Sequence, residues 1–375
     1  MDNETLNLLR DSIRRFVEKE VVPKALAWEE QGFVPREVLR EMGKLGFLGL
    51  RYGEEFGGGA LDARATALLA EELGRSTFSG FAITVLVHTD MASPHLVNAG
   101  SPEQIKRFLP GVVSGELITA VAVTEPDAGS DVKSIRTSAR RDGNDYVLKG
   151  TKMFITNGAL ADVYFVAAKT DPAGGSKGIS IFIVEKGMKG FTVGRKLEKM
   201  GWRSSDTAEL VFDDCRVPAA NLLGEENRGF YAIMKNFQNE RIAISAMAIG
   251  EASRAIELTL EYVRTRKAFG APLWDKQAIR QRLSMLAAKV EAGRQLVLHA
   301  ASLDAQGRDC VKEVSMAKAY CAELLNDVVY DCLQFHGGFG YIKESAIERM
   351  YRDARVQTIG GGATEVMLEE VAKRL

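Results

Sequence analysis

The sequence predicts an α+β fold built as helices, then strands, then helices. Three observations carry that prediction: apolar residues step by three and four as far as Gly111, short Val/Ile/Phe/Thr runs replace them from about residue 118, and helical spacing returns in long segments after Gly224. Strands and helices do not alternate, which disfavours a doubly wound dinucleotide fold. With 375 residues and 46% hydrophobic side chains, the chain is long enough for two or three domains and a sizeable core.

Taken in order, Leu6, Leu9, Ile13 and Phe16 form the first helical stripe, and Val38, Leu39, Met42 and Leu45 repeat it. Ser101-Pro-Glu-Gln104 supplies an N-cap, a proline at the first helical position and a capping-box partner, which predicts a helix ending near Gly111. Strands are expected at Tyr146-Val-Leu, Val163-Tyr-Phe-Val-Ala, Ile179-Ser-Ile-Phe-Ile-Val and Ala208-Glu-Leu-Val-Phe, with turns at Asp142-Gly-Asn and Ala173-Gly-Gly. The last third carries three stripes of helical spacing: Ile249, Ile256, Leu260 and Val263; Ile279, Leu283, Leu286 and Val290; Ala317, Cys321, Leu324 and Val328. Several long helices packed as a bundle follow from them.

Composition narrows the function classes. A net charge of −1, from 49 basic and 50 acidic side chains, provides no field for nucleic acid or an anionic membrane, and neither is expected as a partner. No apolar run approaches the roughly 18 to 20 residues of a membrane span, and Met1 to Glu20 reads as a charged amphipathic segment rather than a signal peptide. The expected location is cytoplasmic, as for a bacterial protein, or the mitochondrial matrix if a transit peptide has been removed. Cys215, Cys310, Cys321 and Cys332 show no paired spacing and read as reduced, mostly buried thiols. His88, His95, His299 and His336 form no metal-ligand pattern, so neither disulfide nor metal is expected.

Two loops carry chemical information. In Val121-Ala-Val-Thr-Glu-Pro-Asp-Ala-Gly-Ser-Asp131 a strand enters a turn with small residues, two hydroxyls and three carboxylates. It is either a surface Asx-type turn or a ligand cradle, in which Ala128 and Gly129 admit a ligand to the backbone and Thr124 and Ser130 add hydroxyl donors. Gln334-Phe-His-Gly-Gly-Phe-Gly-Tyr341 follows a long helix, and Gly337 and Gly338 can serve both as its C-cap and as a surface against which a phosphate or adenosine lies.

The first of these loops and the span from Gln334 to Asp353 resemble the acyl-CoA dehydrogenase family at matching internal spacing. Glu54-Glu-Phe-Gly-Gly58, Lys152-Met-Phe-Ile-Thr-Asn-Gly158, Leu223-Gly-Glu-Glu-Asn-Arg-Gly-Phe230 and Arg264-Thr-Arg-Lys-Ala-Phe-Gly270 extend the resemblance over essentially the whole chain. It implies a helical N-terminal domain over 1–117, a β middle domain over 118–225 and a C-terminal four-helix bundle over 226–375, with FAD between the last two. By the same resemblance Phe154 packs against the isoalloxazine, the Thr156 region bonds its reactive edge, and Val123, Thr124 and Ser130 line the flavin and thioester site. The adenosine end of FAD is expected across a subunit interface, on Arg266, Phe269 and Gln277 of one chain and Gln334, Gly337 and Gly338 of its neighbour, in a homotetramer built as a dimer of dimers. The implied partners are an acyl-CoA substrate and an electron-transferring flavoprotein.

Such a reaction needs a carboxylate to take the α proton while a hydride leaves the β carbon. In many members that glutamate follows the Arg-Asp-Ala turn, but matching outward from Arg352-Asp-Ala354 puts Gly361 there. Glu365 lies four residues further on, at a position usually given to a polar FAD contact. The isovaleryl and long-chain branches place their glutamate on an earlier helix, in the segment Phe237-Gln-Asn-Glu-Arg-Ile-Ala-Ile244, where Glu240 occupies the position. A Glu-Arg pair on a helix is ordinarily a solvated surface pair. The glycine at 361 turns the choice toward Glu240 as base, because a small residue leaves room for a carboxylate from the other helix. Gln238, Arg241 and Ser130 are then expected beside the substrate, and the Gly361 N–H is expected to help polarise the thioester carbonyl. Ala363 stands where relatives often have threonine, and Thr364 is the expected substitute. The acyl pocket is expected within Ile83 to Asn98, for a long-chain or branched acyl group. The competing readings are an oxidase or flavin monooxygenase on the same fold and an inactive acyl-CoA-binding protein.

Overall fold

A computed structural model describes residues 3–375. Seven helices come first: α1 (Asn3–Phe16), α2 (Ala25–Gln31), α3 (Arg36–Lys44), α4 (Ala63–Gly74), α5 (Ser79–Leu86), α6 (Ser93–Ala99) and α7 (Pro102–Val113). α1 buries Ile13 and Phe16, as its stripe predicts. α3 ends one residue before Leu45, which is 52% exposed and so leaves the stripe it was assigned to. The capping box of α7 forms in full, Ser101 Oγ accepting from the Gln104 N–H at 3.2 Å and Gln104 Oε1 from the Ser101 N–H at 2.9 Å. The helix runs through Gly111 to Val113. Between α5 and α6 the chain takes a wide π turn over Val87–Ala92.

Strands β1 (Thr119–Ala122), β2 (Ser138–Asp142), β3 (Asp145–Thr156), β4 (Val163–Lys169), β5 (Ile179–Glu185), β6 (Phe191–Lys196), β7 (Thr207–Pro218) and β8 (Leu222–Leu223) form one sheet. Its order is β6-β7-β3-β2-β4-β5-β8, with β1 parallel to β4. β2 and β3 close through a hairpin in which Gly143 sits at φ 63°, the role its Asp-Gly-Asn setting predicts. β4 shows the period of two with both faces covered: Tyr164, Val166 and Ala168 join the main core, while Val163, Phe165 and Ala167 join a second core under α6 and α7.

The 37-residue helix α8 (Gly229–Thr265) follows, then a ribbon of β9 (Lys267–Ala268) and β10 (Ala271–Pro272), and helices α9 (Gln277–Ala305), α10 (Val311–His336), α11 (Ala346–Ala354) and α12 (Thr364–Ala372). α8, α9 and α10 pack along one another, and α12 lies on α10. α4 crosses α8 backbone to backbone because Gly74 and Gly250 face it: a Cβ on Gly74 would strike the Met247 carbonyl, and one on Gly250 the Glu71 carbonyl. This close crossing holds the middle of α8 between the first and last thirds of the chain, burying every residue from Arg241 to Ala252. The divisions at 117/118 and 225/226 fall in the stretches between α7 and β1 and between β8 and α8.

Candidate active site

The β-domain wall of the site is built by a fault in β3. Its pairing with β7 slips between Lys152 and Ile155, and the residue pushed out is Phe154, at φ 60° and 65% exposed. A left-handed backbone is costly for a bulky residue and persists where the surroundings over-determine it. At 65% exposure Phe154 is not a strand core residue. The Met153 N–H donates to the Thr124 carbonyl at 2.9 Å, so the bulge lies against the Val123–Ser130 turn. Val123, Thr124 and Thr156 are partly exposed there and Ser130 is exposed, while Glu125 and Ala128 pair their backbones at 2.9 and 3.2 Å. The loop thus lies beside an exposed aromatic ring with no ring partner among the described residues, an arrangement that could receive a flat heteroaromatic such as the flavin of FAD.

On α8, Glu240 and Arg241 do not form the solvated pair that such neighbours ordinarily make on a helix. Arg241 is 8% exposed, its Nη1 reaches Ser315 Oγ at 3.4 Å, and its Nε has no partner among the described residues. Glu240 is partly buried and makes no hydrogen bond among the described residues. Its Oε1 lies 3.4 Å from the point where a Cβ on Gly361 would stand. Gly361 has φ 64°, and such a Cβ would also run into Ile244 Cδ1, one turn along α8. Desolvation pushes the Glu240 carboxyl up to about 7, while Arg241 and then Lys318 pull the other way by favouring its charge. Sequence reasoning missed Lys318. It sits in the third apolar stripe, fully buried, with Nζ bonded to the Gly362 carbonyl, and burial followed by the charge of Arg241 lowers it to about 8 against the pull of Glu240. Its only sequence signal was a lysine beside Ala317 on a face that is otherwise apolar.

Gln238 is not brought to Glu240. It accepts from Cys310 Sγ at 3.4 Å and lines a cavity of about 500 Å³ on another face of α8, with Arg51, Asp90, Asn98, Asn236 and Asn239. At about 100° per residue, position 238 lies about 160° round the helix from 240. Asn236 donates to the Met91 carbonyl and Asn239 to the Asp90 carbonyl, both at 2.7 Å, which ties α8 to the wide turn within the expected acyl-pocket segment. Thr364 Oγ1 donates to Glu323 at 2.8 Å, and Glu365 is exposed at the start of α12.

The remaining candidates gather at one outer end. Phe269 and Gly270 turn the β9–β10 ribbon at φ 54° and 81°, leaving Phe269 96% exposed. Arg266 is exposed with no side-chain partner among the described residues, and Gln277 opens α9. Tyr262 stacks on His336 (4.4 Å) and Phe339 (5.9 Å), which brings this end to the C-terminus of α10. There Gly337 caps α10 at φ 59°, and it and Gly338 have open space where a Cβ would be, beside an exposed Gln334. Exposed glycine backbone and an unpaired arginine fit a phosphate-bearing cofactor.

Known proteins match along the full length. The acyl-CoA dehydrogenase N-terminal, middle and C-terminal domain models match residues 3–116, 120–215 and 227–375. The chain is 43% identical over 371 residues to the mitochondrial long-chain specific acyl-CoA dehydrogenase of Sus scrofa, covering 98% of this chain and 86% of that one. It is 39% identical over 368 residues to an acyl-CoA dehydrogenase of Bacillus subtilis, covering 98% and 97%. The crystal structure of acyl-CoA dehydrogenase from Geobacillus kaustophilus superposes with a TM-score of 0.95 at 40% identity, over 100% of this chain and 98% of that one.

Proposed function

The chain belongs to the acyl-CoA dehydrogenase family, and from that membership we propose that it desaturates an acyl-CoA thioester between Cα and Cβ with Glu240 as the base. The enzyme is an FAD-dependent oxidoreductase of that family. The observation that supports the base is the approach of Glu240 Oε1 to Gly361, 3.4 Å from where a side chain would begin. A carboxylate from α8 thereby takes up space that a residue with a side chain at 361 would need.

Glu240 takes the α proton, the electrons of the Cα–H bond become the new C=C, and a hydride leaves Cβ. Bound FAD supplies the hydride acceptor. A carboxyl near 7 is matched to this task, since about half of it is charged at neutral pH and its conjugate base is stronger than an exposed glutamate. Arg241 and Lys318 keep the carboxylate available by opposing its desolvation. The Gly361 N–H needs no side chain to donate to the thioester carbonyl, and Lys318 holds the adjoining Gly362 carbonyl. Phe154, Thr124, Thr156, Val123 and Ser130 form the flavin wall. Arg266, Phe269, Gln277, Gln334, Gly337 and Gly338 form the adenosine end across a subunit boundary, in a homotetramer whose contact face includes exposed Phe269, Phe339 and Tyr341.

The substrate class is long-chain acyl-CoA, with branched acyl groups second, and electrons pass to an electron-transferring flavoprotein. Identity to the long-chain specific relative supports that choice. The deciding measurement is stopped-flow reduction of the flavin by straight and branched acyl-CoAs, in wild type and Glu240→Gln. Long-chain substrates should reduce the wild type fastest. Glu240→Gln should bind them but reduce about 100 to 10,000 times more slowly. Equal rates in the two proteins refute the base assignment.

A further inference from the structure

Behind the bulge that presents Phe154 lies a buried ion pair with no part in the chemistry above. Lys152 has no exposed surface, and its Nζ donates to Glu125 Oε1 at 2.7 Å and to the Val123 carbonyl at 2.9 Å. The rest of the Glu125 carboxylate is also used. Oε1 accepts from the Thr137 N–H at 2.9 Å and Oε2 from the Arg136 N–H at 2.5 Å. Together with the bond from the Met153 N–H to the Thr124 carbonyl, this network joins three segments: the Val123–Ser130 turn, the entry to β2, and the faulted stretch of β3.

A buried ion pair is weak as a source of stability, because desolvation offsets most of its attraction and apolar residues of like volume often do as well. It is strong as a geometric constraint, because each lost partner strands a buried charge. Phe154 needs such a constraint. A bulky residue at φ 60° on an exposed bulge relaxes unless its surroundings forbid it. Lys152 stands two residues before Phe154 and bonds the carbonyl that precedes Thr124, so one ammonium controls both surfaces assigned to the flavin. Burial lowers Lys152 to about 8 while Glu125 raises it; desolvation raises the Glu125 carboxyl, but Lys152 together with the hydrogen bonds from Thr137 and Arg136 lowers it below the usual carboxylate value, which favours the ionised pair at neutral pH.

We propose that Lys152 and Glu125 are positioning residues that clamp the β3 bulge to the Val123–Ser130 turn and so set the distance and tilt of Phe154 and the Thr124 backbone toward the isoalloxazine. The proposal rests on the reading of Phe154 as a flavin contact, and the test separates the two. FAD is titrated into apoprotein of wild type, Phe154→Ala, Glu125→Gln/Lys152→Met and Cys215→Ala, the last a core change between β3 and β7 remote from the clamp. The FAD dissociation constant, the visible flavin spectrum and the apoprotein melting temperature are read. The double variant, which leaves no unpaired charge, should hold FAD at least tenfold more weakly and shift the flavin bands, whereas Cys215→Ala should lower the melting temperature with little effect on either. If the double variant does not fold, Glu125→Asp keeps the pair charged but shortens the clamp and should show the same shift at about threefold weaker binding. An unshifted spectrum with FAD affinity within twofold of wild type overturns the clamp, provided Phe154→Ala weakens binding. If Phe154→Ala also changes nothing, the flavin contact itself falls and the clamp with it.

Discussion

At Gly361 two constraints meet in one residue. Its φ of 64° lies where a side chain is strained, and any Cβ would meet Ile244 and approach Glu240. Gly361→Ala should therefore lower stability by about 1 to 3 kcal/mol, read from denaturant midpoints, and slow flavin reduction by crowding the base. A glutamate moved to 361 in a Glu240→Gln background meets the same obstacles and should restore little activity. The charges around Glu240 make a second prediction. Its carboxyl, near 7, should give an acid limb near that pH in single-turnover flavin reduction, rising as the base deprotonates. Lys318→Met removes a cation that favours the charged form, so the limb should move to higher pH, with Lys318→Arg moving it less. A limb that stays in place in Lys318→Met would show that Lys318 acts on the loop alone.

The element that concentrates unexplained exposure is the β9–β10 ribbon. An aromatic residue at φ 54° with 96% exposure is held within its own chain by little beyond the Lys276 ammonium 5.6 Å over its ring, and Arg266, one turn beyond Tyr262, has no side-chain partner among the described residues. Arg266→Ala should lower FAD retention on gel filtration and shift the assembly toward smaller species, while far-UV circular dichroism stays unchanged. Unaltered FAD content and molar mass would remove the ribbon from both roles. By contrast α8 owes its place to contacts along its whole length: glycine crossing with α4, asparagine bonds to the wide turn, and Arg241 toward α10.

Across the whole molecule, one junction binds all three parts of the chain. Glu251 of α8 and Asp353 of α11 are fully buried near Ser79 of α5 and the Trp202–Ser204 loop, and Trp202 N–H donates to Asp353 Oδ1 at 2.7 Å. Glu251 Oε2, Asp353 Oδ2, Trp202 Nε1, Ser79 Oγ and Ser204 Oγ all lack partners among the described residues. Desolvation, reinforced by Glu29, raises Asp353 to about 7 against the pull of Arg352 and Arg349, and desolvation with Asp353 nearby raises Glu251 well above the carboxylate range. Both acids thus hold protons in the folded state that the unfolded chain releases near pH 4. Their contribution to stability is complete below that value and is lost as pH rises through about 7 for Asp353. Asp353→Asn should flatten the fall in melting temperature between about pH 4 and 7 relative to wild type, on the order of a few kcal/mol of pH-dependent stability. Parallel melting curves for the two proteins across that range would remove Asp353 as the cause.

Much of this protein was legible in its sequence because the signals are local. The capping box at Ser101, the turn at Gly143 and the apolar run of β4 each close within a few residues, and local hydrogen bonds and composition decide them whatever surrounds them. The helix-strand-helix order and the family resemblance follow from the same residues in order. What only the tertiary structure decided is where charges lose water. Glu240 beside Arg241, and Lys318 within an apolar stripe, look solvated in one dimension, and Gln238 looks like their neighbour. Packing of α8 against its neighbours buries Arg241 and Lys318, leaves Glu240 partly buried beside them, and turns Gln238 to another face. The β3 bulge is of the same kind, since a fault in pairing exists only once β7 lies alongside. Desolvation and register are sums over contacts distant in sequence, so they enter only when the chain has folded.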